Sequence, residues 1–319
     1  MPKGRILYID ILKLFTIYLV LWGHAIMHFQ PDYKQSYVFQ TIYAFHMPLF
    51  MMLSGYFAVS SMELDVKTFV VKKFRQLLLP CISWGIICWL VITSGLIKGM
   101  FYLDFQSLFT AGWIGLFDNF WFLKSCFICY TLSWLCWRCG RYKLPAMLLV
   151  WLLCTLQGRF HLDMMFPSFI LGMYLRQNDW LEEVLSRYMY VPIMVFIVLL
   201  ICNISGIKSF YITKLFLGVS GALSCFSMFK KYIGPLTPTP ILSKLAKLGG
   251  ITLGVYVIQA ILLEFLLPRY ISFEGLPLSV IALLMPVLSI TAFMICWAII
   301  ELINKSDLLA FLMFGRESK

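Results

Sequence analysis

Four ionisable side chains lie in an otherwise apolar stretch near the N-terminus, where they could take part in proton transfer. Asp10, Lys13, His24 and His28 all fall within residues 6–29. At about 100° per residue they share one face of a helix. The helical rise places His24 about 16 Å beyond Lys13. Because histidine titrates near neutral pH, His24 is a candidate general base, and Asp10 and Lys13 are candidates for setting the local field and holding this polar stripe in place.

Two other interpretations of the polar stripe stay open. It could hold helices together, with Asp10 and Lys13 as a local ion pair. The spacing of His24 and His28 also suits two metal ligands on one helix. The glutamate of the H-E-x-x-H motif is absent, however, so we predict no metal.

Cys126-x-x-Cys129 and Cys136-x-x-Cys139 have the spacing of a zinc site. On one straight helix Cys126 and Cys139 would lie about 20 Å apart, whereas zinc–sulfur bonds are about 2.3 Å long. We therefore predict that these cysteines pack as small apolar side chains.

The composition indicates the class of protein in which these residues are positioned. The 319 residues are 61% hydrophobic and 13% charged, with a mean hydropathy of +0.86. Soluble domains carry about 25% charged residues, and a soluble fold of this size could not bury so much apolar surface. The composition therefore excludes a soluble enzyme, a disordered chain and a secreted disulfide scaffold. It indicates a multi-pass membrane protein.

We interpret ten apolar stretches as helices crossing a bilayer, of which the fifth and sixth are shorter than the about 17–25 residues usual for a crossing. We predict an all-α fold, a polytopic membrane helix bundle of about ten transmembrane helices. We expect a single integral-membrane domain over residues 1–319. The predicted spans are 6–29, 38–60, 76–97, 119–138, 144–158, 163–176, 189–205, 210–229, 248–267 and 278–304.

The distribution of lysine and arginine predicts the orientation of the chain. With the N-terminus in the cytoplasm and the loops taken alternately, 18 of the 26 basic residues face the cytoplasm and 5 face the outside. We therefore predict that both termini are cytoplasmic. The net charge of +11 then follows from topology. Some of the basic residues could also bind lipid headgroups or a phosphorylated ligand. We expect no nucleic-acid partner.

Several short motifs occur in the order found in one protein family. They are Arg5-x-x-x-x-Asp10-x-x-Lys13 followed by His24, Phe45-His46-Met47-Pro48, Lys72-x-x-Arg75, Phe120-Trp121-Phe122-Leu123, Phe169-Ile170-Leu171-Gly172 and Thr252-Leu253-Gly254. Over nearly its whole length the chain resembles the membrane acyltransferase-3 family, in particular the branch similar to fucose 4-O-acetylases.

This resemblance implies an enzyme, an O-acyltransferase of the cell membrane. Such a protein would move an acyl group, usually acetyl, from cytoplasmic acetyl-CoA or another acyl-CoA to a hydroxyl of a sugar or cell-surface glycan. The family's arginine–histidine motif falls on Lys13 and His24, and its arginine-x-x-arginine motif falls on Lys72 and Arg75. Lysine keeps the charge at both first positions but lacks the guanidinium fork. Gln259 stands where the family often has a histidine.

The resemblance also suggests roles for a basic cluster and for the histidine. Lys72, Lys73 and Arg75 would bind the phosphates of the acyl donor at the cytoplasmic face. By themselves, the same three residues could equally enforce topology or contact lipid headgroups. His24 would take the proton of the acceptor hydroxyl as its oxygen attacks the thioester, and transient acylation of His24 is the alternative route.

His46 and Trp121 are the predicted contacts of the acceptor. His46 lies midway along the second span and precedes Pro48, which can kink a helix that lines a cavity. Trp121 could support the apolar face of a sugar, or it could anchor its helix at the membrane interface.

The alternative function is a multi-pass transporter or carrier of a lipid-linked glycan or acyl donor. Such a protein would also need about ten spans and a polar cavity. Many transporters show broken helices at matching positions in two halves. Residues 1–160 and 161–319 show no matching glycine or proline breaks, which favours the enzyme.

Overall fold

The structure is a computed structural model that describes residues 6–93, 120–157, 159–206, 211–273 and 275–316. Over these ranges the chain is helical and contains no strand. The all-α membrane fold predicted from the sequence is therefore confirmed.

The helices of the described ranges are separated by short turns or by tighter and wider helical segments. In chain order they are α1 (Leu7–Phe29), α2 (Tyr37–Met62), α3 (Val66–Lys73), α4 (Leu79–Thr93), α5 (Trp121–Trp137), α6 (Lys143–Gln157), α7 (Leu162–Gln177), α8 (Asp179–Arg187), α9 (Tyr190–Ile204), α10 (Tyr211–Tyr232), α11 (Pro240–Leu248), α12 (Thr252–Gln259), α13 (Leu267–Tyr270), α14 (Leu278–Ile303) and α15 (Asp307–Phe314).

Six helical stretches of the described residues are long and apolar enough to cross a membrane by themselves. They are Leu7–Phe29, Tyr37–Met62, Val66–Val91, Tyr211–Tyr232, Pro240–Tyr270 and Leu278–Ile303. Helices α8 and α9 would make a seventh crossing if they form one span, bent by 68°. Helices α5, α6 and α7 have 17, 15 and 16 residues and coincide with three further predicted spans. Each of the ten predicted stretches thus contains a helix, whereas the count of ten crossings and the cytoplasmic side of both termini stay predictions.

The helices form two compact units, and α1 contributes to both of them. The first unit comprises Met1–Leu19, Lys34–Phe69 and Ile128–Gly250, and the second unit comprises Val20–Tyr33, Val70–Phe127 and Ile251–Lys319. Helix α1 therefore carries the stripe from the first unit, which holds Asp10 and Lys13, into the second, which holds His24. A single domain over residues 1–319 stays a prediction.

In the first unit, helices α2 and α7 cross in contact through two glycines. A side chain at Gly172 would overlap the carbonyl oxygen of Met52, and one at Gly55 would overlap the carbonyl oxygen of Phe169. Small residues at a helix crossing allow this backbone approach in membrane proteins. The crossing buries Phe169 completely and holds α2 in a defined register.

A buried carboxylate joins three helices of the first unit. Glu182 of α8 is 3% exposed. Its Oε2 accepts hydrogen bonds from the hydroxyl of Tyr8 on α1 at 2.9 Å and from Nζ of Lys230 on α10 at 2.8 Å. Since a buried charge is costly without partners, this cluster fixes the N-terminal end of α1 against its neighbours.

Two π-helical segments interrupt helices of the second unit. Phe74–Leu78 lies between α3 and α4, where the N–H of Leu79 donates to the carbonyl of Phe74. Ala260–Leu266 lies between α12 and α13, where the N–H of Leu267 donates to the carbonyl of Leu262. Such segments are rare and are frequently found at functional sites.

The C-terminal helix α15 packs on α4 within the second unit. Ser83 Oγ donates to the carbonyl of Leu312 at 2.8 Å, and Trp84 Nε1 donates to the carbonyl of Met313 at 2.9 Å. Gly315 ends the helix with φ of 62°, and a side chain there would overlap the carbonyl oxygen of Arg75. The end of α15 thus braces the backbone that carries Arg75.

Candidate active site

His24 meets a carboxylate within the second unit. Its Nδ1 lies 3.1 Å from Oε1 of Glu264, and the two side chains are 18% and 23% exposed. A carboxylate beside Nδ1 favours the tautomer that carries its proton there and leaves a lone pair on Nε2. The two atoms lie at ion-pair distance but off the alignment of a hydrogen bond, as is common in catalytic pairs before substrate binds. The pair can act as an oriented base.

The π-helical segment Ala260–Leu266 determines where Glu264 points. A π-helix closes hydrogen bonds between residues five apart, so such residues lie one turn apart on the same side. In an α-helix the same step would rotate a side chain by about 140°. Gln259, at the position where the family often has histidine, ends α12 just before this segment and is 1% exposed. Compared with an α-helix, the wider turn therefore rotates Glu264 toward the side of the helix that carries Gln259.

His28 extends the pair into a cluster of three. The rings of His24 and His28 are stacked, with centroids 6.1 Å apart and planes inclined by 17°. One ligand atom from each of His24, His28 and Glu264 lies within 4.8 Å of the others. Two imidazoles and a carboxylate are ligands that Zn²⁺ accepts, so these residues could hold a divalent cation. The absence of a metal from the reaction stays a prediction.

Asp10 and Lys13 form an ion pair in the first unit. Lys13 Nζ lies 3.1 Å from Asp10 Oδ1 and 3.9 Å from the centroid of the Phe57 ring. Asp10 is 5% exposed. The local pairing considered for these two residues is confirmed, while their catalytic role stays a prediction.

The predicted donor cluster lies around the first π-helical segment, where the three basic side chains differ in burial. Lys72 and Arg75 are half-buried, whereas Lys73 is buried. Nζ of Lys73 lies 3.4 Å from Oε1 of Gln76, to which it donates. Lys72 and Arg75 are therefore better placed than Lys73 to reach a phosphate.

Helix α3, which leads to this cluster, begins at an acidic cap. The N–H of Thr68 donates to Oδ2 of Asp65 at 3.1 Å. Hydrogen bonds from the Thr68 side chain and backbone hold the pKa of Asp65 below its ordinary value. The ionised carboxylate thereby stabilises the start of α3.

The two predicted acceptor contacts belong to different units. His46 is buried in the first unit, where Nδ1 donates to the carbonyl of Ile42 at 2.8 Å and its ring lies 4.7 Å from that of Tyr43. Trp121 begins α5 in the second unit and meets the Phe122 ring edge-on, with centroids 6.2 Å apart. The acceptor roles of His46 and Trp121 stay predictions.

None of the four cysteines with zinc-like spacing forms a disulfide within the described residues, and no cluster of possible metal ligands among those residues includes them. Cys126, Cys129 and Cys136 are buried, as expected for apolar packing. Cys139 is exposed just beyond the end of α5, because the helix stops at Trp137.

The sequence motifs assign no role to Glu264, an intramembrane charge like Lys124. An acidic side chain in an apolar stretch is costly and is therefore a sign of function, and Glu264 shows that sign. Its partner is 240 residues away in the chain, so no local spacing connects the two.

Comparisons with known proteins agree with the motifs. The family model described as Acyltransferase domain matches residues 6–301. The chain is similar to Nodulation protein NolL of Mesorhizobium japonicum, with 26% identity over 253 residues that cover 75% of this chain and 66% of the relative. It is also similar to Nodulation protein NolL of Sinorhizobium fredii, with 30% identity over 162 residues that cover 48% of this chain and 41% of the relative.

The chain thus spans less than two thirds of the length of each of these curated relatives. No solved structure matches it. The family match nevertheless runs from the start of α1 to two residues before the end of α14, and it includes His24, the basic cluster and Glu264. The chain therefore belongs to the acyltransferase-3 family of membrane proteins.

Proposed function

We propose that this protein is an O-acyltransferase of the cell membrane that moves an acyl group, usually acetyl, from cytoplasmic acyl-CoA to a hydroxyl of a sugar or cell-surface glycan. Membership of the acyltransferase-3 family supports acyl transfer. The observation that carries the proposal is the 3.1 Å contact between His24 and Glu264, because it supplies an oriented base in a membrane-spanning helix.

In the proposed reaction His24 is the general base. Its Nε2 takes the proton of the acceptor hydroxyl while the hydroxyl oxygen bonds to the thioester carbon. The carbon–sulfur bond then breaks, and the leaving thiolate receives the proton from the imidazolium. Glu264 holds Nδ1 and stabilises the transient positive charge on the ring. A base positioned in this way contributes about 10²–10⁴-fold to a rate.

Transient acylation of His24 is the second route to the same products. Nε2 would attack the thioester carbon directly and the carbon–sulfur bond would break. The acceptor oxygen would then take the acyl group from the ring, and the hydroxyl proton would pass to the thiolate, which leaves as the thiol. Quenching within one turnover into cold denaturant near neutral pH, where an acyl-imidazole hydrolyses more slowly than in acid, and rapid peptide mass spectrometry distinguish the routes. An acetyl group on the peptide containing His24 indicates the acyl-histidine route, and its absence during transfer indicates direct transfer.

The donor is held, in this proposal, by charge on the second unit. Arg75 presents a fork that suits phosphate oxygens, and Lys72 adds a flexible positive charge. Lys73 contributes less because its side chain is buried. Lys13, which pairs with Asp10 in the first unit, adds positive charge at the end of α1 that we predict to be cytoplasmic. His46 and Trp121 belong to different units, and the acceptor contacts that the sequence suggests for each of them stay predictions.

The experiment uses the purified full-length protein in lipid nanodiscs with radiolabelled acetyl-CoA and a membrane glycan fraction. Wild type is compared with His24→Asn and with a matched control, His161→Asn, which changes an exposed histidine. We expect the label to enter glycan with wild type and His161→Asn and to fall at least about 100-fold with His24→Asn.

Donor binding is measured on the same samples to separate the possible failures. Acetyl-CoA should bind to His24→Asn as it does to wild type, and it should bind at least about tenfold more weakly when Lys72 and Arg75 are both changed to alanine. Transfer that continues unchanged in His24→Asn would overturn the role of this histidine. Donor binding by wild type without transfer to any acceptor would favour a carrier.

A further inference from the structure

A cavity of about 300 Å³ opens in the second unit beside the C-terminal end of α1. One wall is the end of that helix and the residues that follow it, with His28, Phe29 and Gln30. The opposite wall follows α13 and includes Ser272 and Phe273. Ligand pockets in proteins span about 300–1,000 Å³, so this cavity suits one small ligand rather than a long chain.

The walls combine flat apolar surface with neutral hydrogen-bonding groups. The rings of Phe29 and Phe273 lie 5.6 Å apart and are tilted by 51°. Gln30 offers an amide and Ser272 a hydroxyl. Of the described residues that line the cavity, His28 alone can carry a charge. This combination fits a neutral ring that has a C–H face and several hydroxyls, and it disfavours a phosphorylated ligand.

His28 connects this cavity to the proposed base. It lines the cavity, and its ring stacks on that of His24 at 6.1 Å. Nε2 of His28 is buried and none of the described residues supplies a hydrogen-bond partner for it, so the ring would turn toward the cavity when this atom binds a ligand hydroxyl. A ligand hydroxyl that binds to His28 would lie about one helical turn from His24.

We infer that this cavity binds the acceptor as a single neutral sugar unit and presents one of its hydroxyls past His28 to His24. The inference rests on the proposed function and adds where the acceptor binds, its lack of charge and its size. The aromatic pair holds the C–H face of the ring, and His28, Gln30 and Ser272 hold its hydroxyls. A larger glycan would enter by its terminal sugar only, because the cavity has room for one ring.

The test measures binding and transfer separately with a panel of methyl hexosides as probes. Binding to the full-length protein in nanodiscs is followed by saturation-transfer difference NMR, and transfer by label from acetyl-CoA. Phe273→Ala removes one side of the aromatic pair, and Ser272→Trp fills the cavity from an exposed position. Phe311→Ala, at a 37% exposed phenylalanine of the same unit, is the matched control.

We expect at least one hexoside to bind to wild type. Phe273→Ala and Ser272→Trp should each raise the acceptor KM by about tenfold or more, weaken the NMR signal, and leave acetyl-CoA binding unchanged. Phe311→Ala should behave as wild type. Normal donor binding also shows that each variant is folded. Phe273→Ala makes the cavity larger and Ser272→Trp makes it smaller, so one shared folding defect would not explain the same result in both.

The possible failures have different meanings. Unchanged acceptor KM and hexoside binding in both variants would overturn the cavity assignment and leave the acyltransferase intact. Hexoside binding that depends on Phe273 without any label transfer by wild type would support the cavity and contradict the proposed function. Failure of wild type to bind any of the hexosides would overturn the inference directly.

Discussion

At the scale of single residues, Glu264 decides whether His24 is an oriented base or a polar side chain among helices. Glu264→Gln keeps the size of the side chain and removes its charge. We expect kcat to fall about 100-fold, because the imidazolium formed during transfer loses its partner, with little change in acceptor KM. Steady-state label transfer measures both constants. Glu301→Gln, at an exposed glutamate of α14, is the control and should retain wild-type kcat.

The activity of Glu264→Gln distinguishes an electrostatic role of the carboxylate beside His24 from a role in packing alone. Loss of kcat in Glu264→Leu together with wild-type kcat in Glu264→Gln would show that only the shape of the side chain matters at this position. Wild-type kcat in Glu264→Gln would remove the carboxylate from the mechanism altogether.

The cluster of His24, His28 and Glu264 predicts that Zn²⁺ inhibits acyl transfer. If His24 acts through a free lone pair, Zn²⁺ held by His24, His28 and Glu264 would block the reaction. We expect micromolar Zn²⁺ to inhibit label transfer, EDTA to restore it, and His28→Ala to require about tenfold more Zn²⁺. Loss of wild-type activity on treatment with EDTA alone would instead show that the reaction needs a bound cation.

The candidate site was only partly predictable from the sequence. Helical periodicity places His24 on a polar stripe, because every step along one helix has a known rotation. It does not reveal that Glu264 lies 3.1 Å from the histidine, since that contact depends on tertiary packing and on a π-helical turn. The cavity at Phe29 and Phe273 also joins distant parts of the chain and has no local signature.

At the scale of elements, the crossing of α2 and α7 should tolerate no added side chain. Gly172→Ala would place a carbon onto the carbonyl oxygen of Met52, and the helices would have to separate. We expect a loss of about 3 kcal/mol in the free energy of unfolding, seen as a lower thermal midpoint in detergent. Gly140→Asn is the control, because no atom lies near that position and asparagine tolerates its positive φ.

An unchanged midpoint for Gly172→Ala would mean that the two helices are not in the contact described. A drop of the same size in Gly140→Asn would show that the assay responds to any glycine substitution rather than to this crossing.

The elements themselves were more predictable than their interruptions. Apolar length alone located a helix in each of the ten stretches, because a bilayer-sized apolar run has few other stable conformations. The 68° bend between α8 and α9 and the π-helical segments at Phe74–Leu78 and Ala260–Leu266 were not predicted. Bends and π-helical segments do not change the hydropathy of a stretch, so composition cannot predict them.

At the scale of the whole molecule, the asymmetry of basic residues predicts the orientation in the membrane. With 18 basic residues on one side and 5 on the other, both termini should be cytoplasmic. A fluorescent protein fused after Lys319 should fold and fluoresce, and alkaline phosphatase fused at the same point should be inactive. Alkaline phosphatase fused after Asp32, between α1 and α2, should be active.

An active phosphatase at the C-terminus would contradict an even number of crossings. It would also place the end of α15, which braces the backbone of Arg75, on the side opposite to the cytoplasmic acyl-CoA pool, and the proposed donor site would then be wrong.

In the proposed mechanism the imidazole of His24 takes the proton of the acceptor hydroxyl during acyl transfer. The most direct measurement is the single-turnover rate of acetyl transfer to an acceptor hydroxyl, with protein in excess over labelled acetyl-CoA, for wild type and His24→Asn. We expect His24→Asn to bind the donor normally but to transfer the acetyl group at least about 100-fold more slowly. Equal single-turnover rates for the two proteins would contradict it.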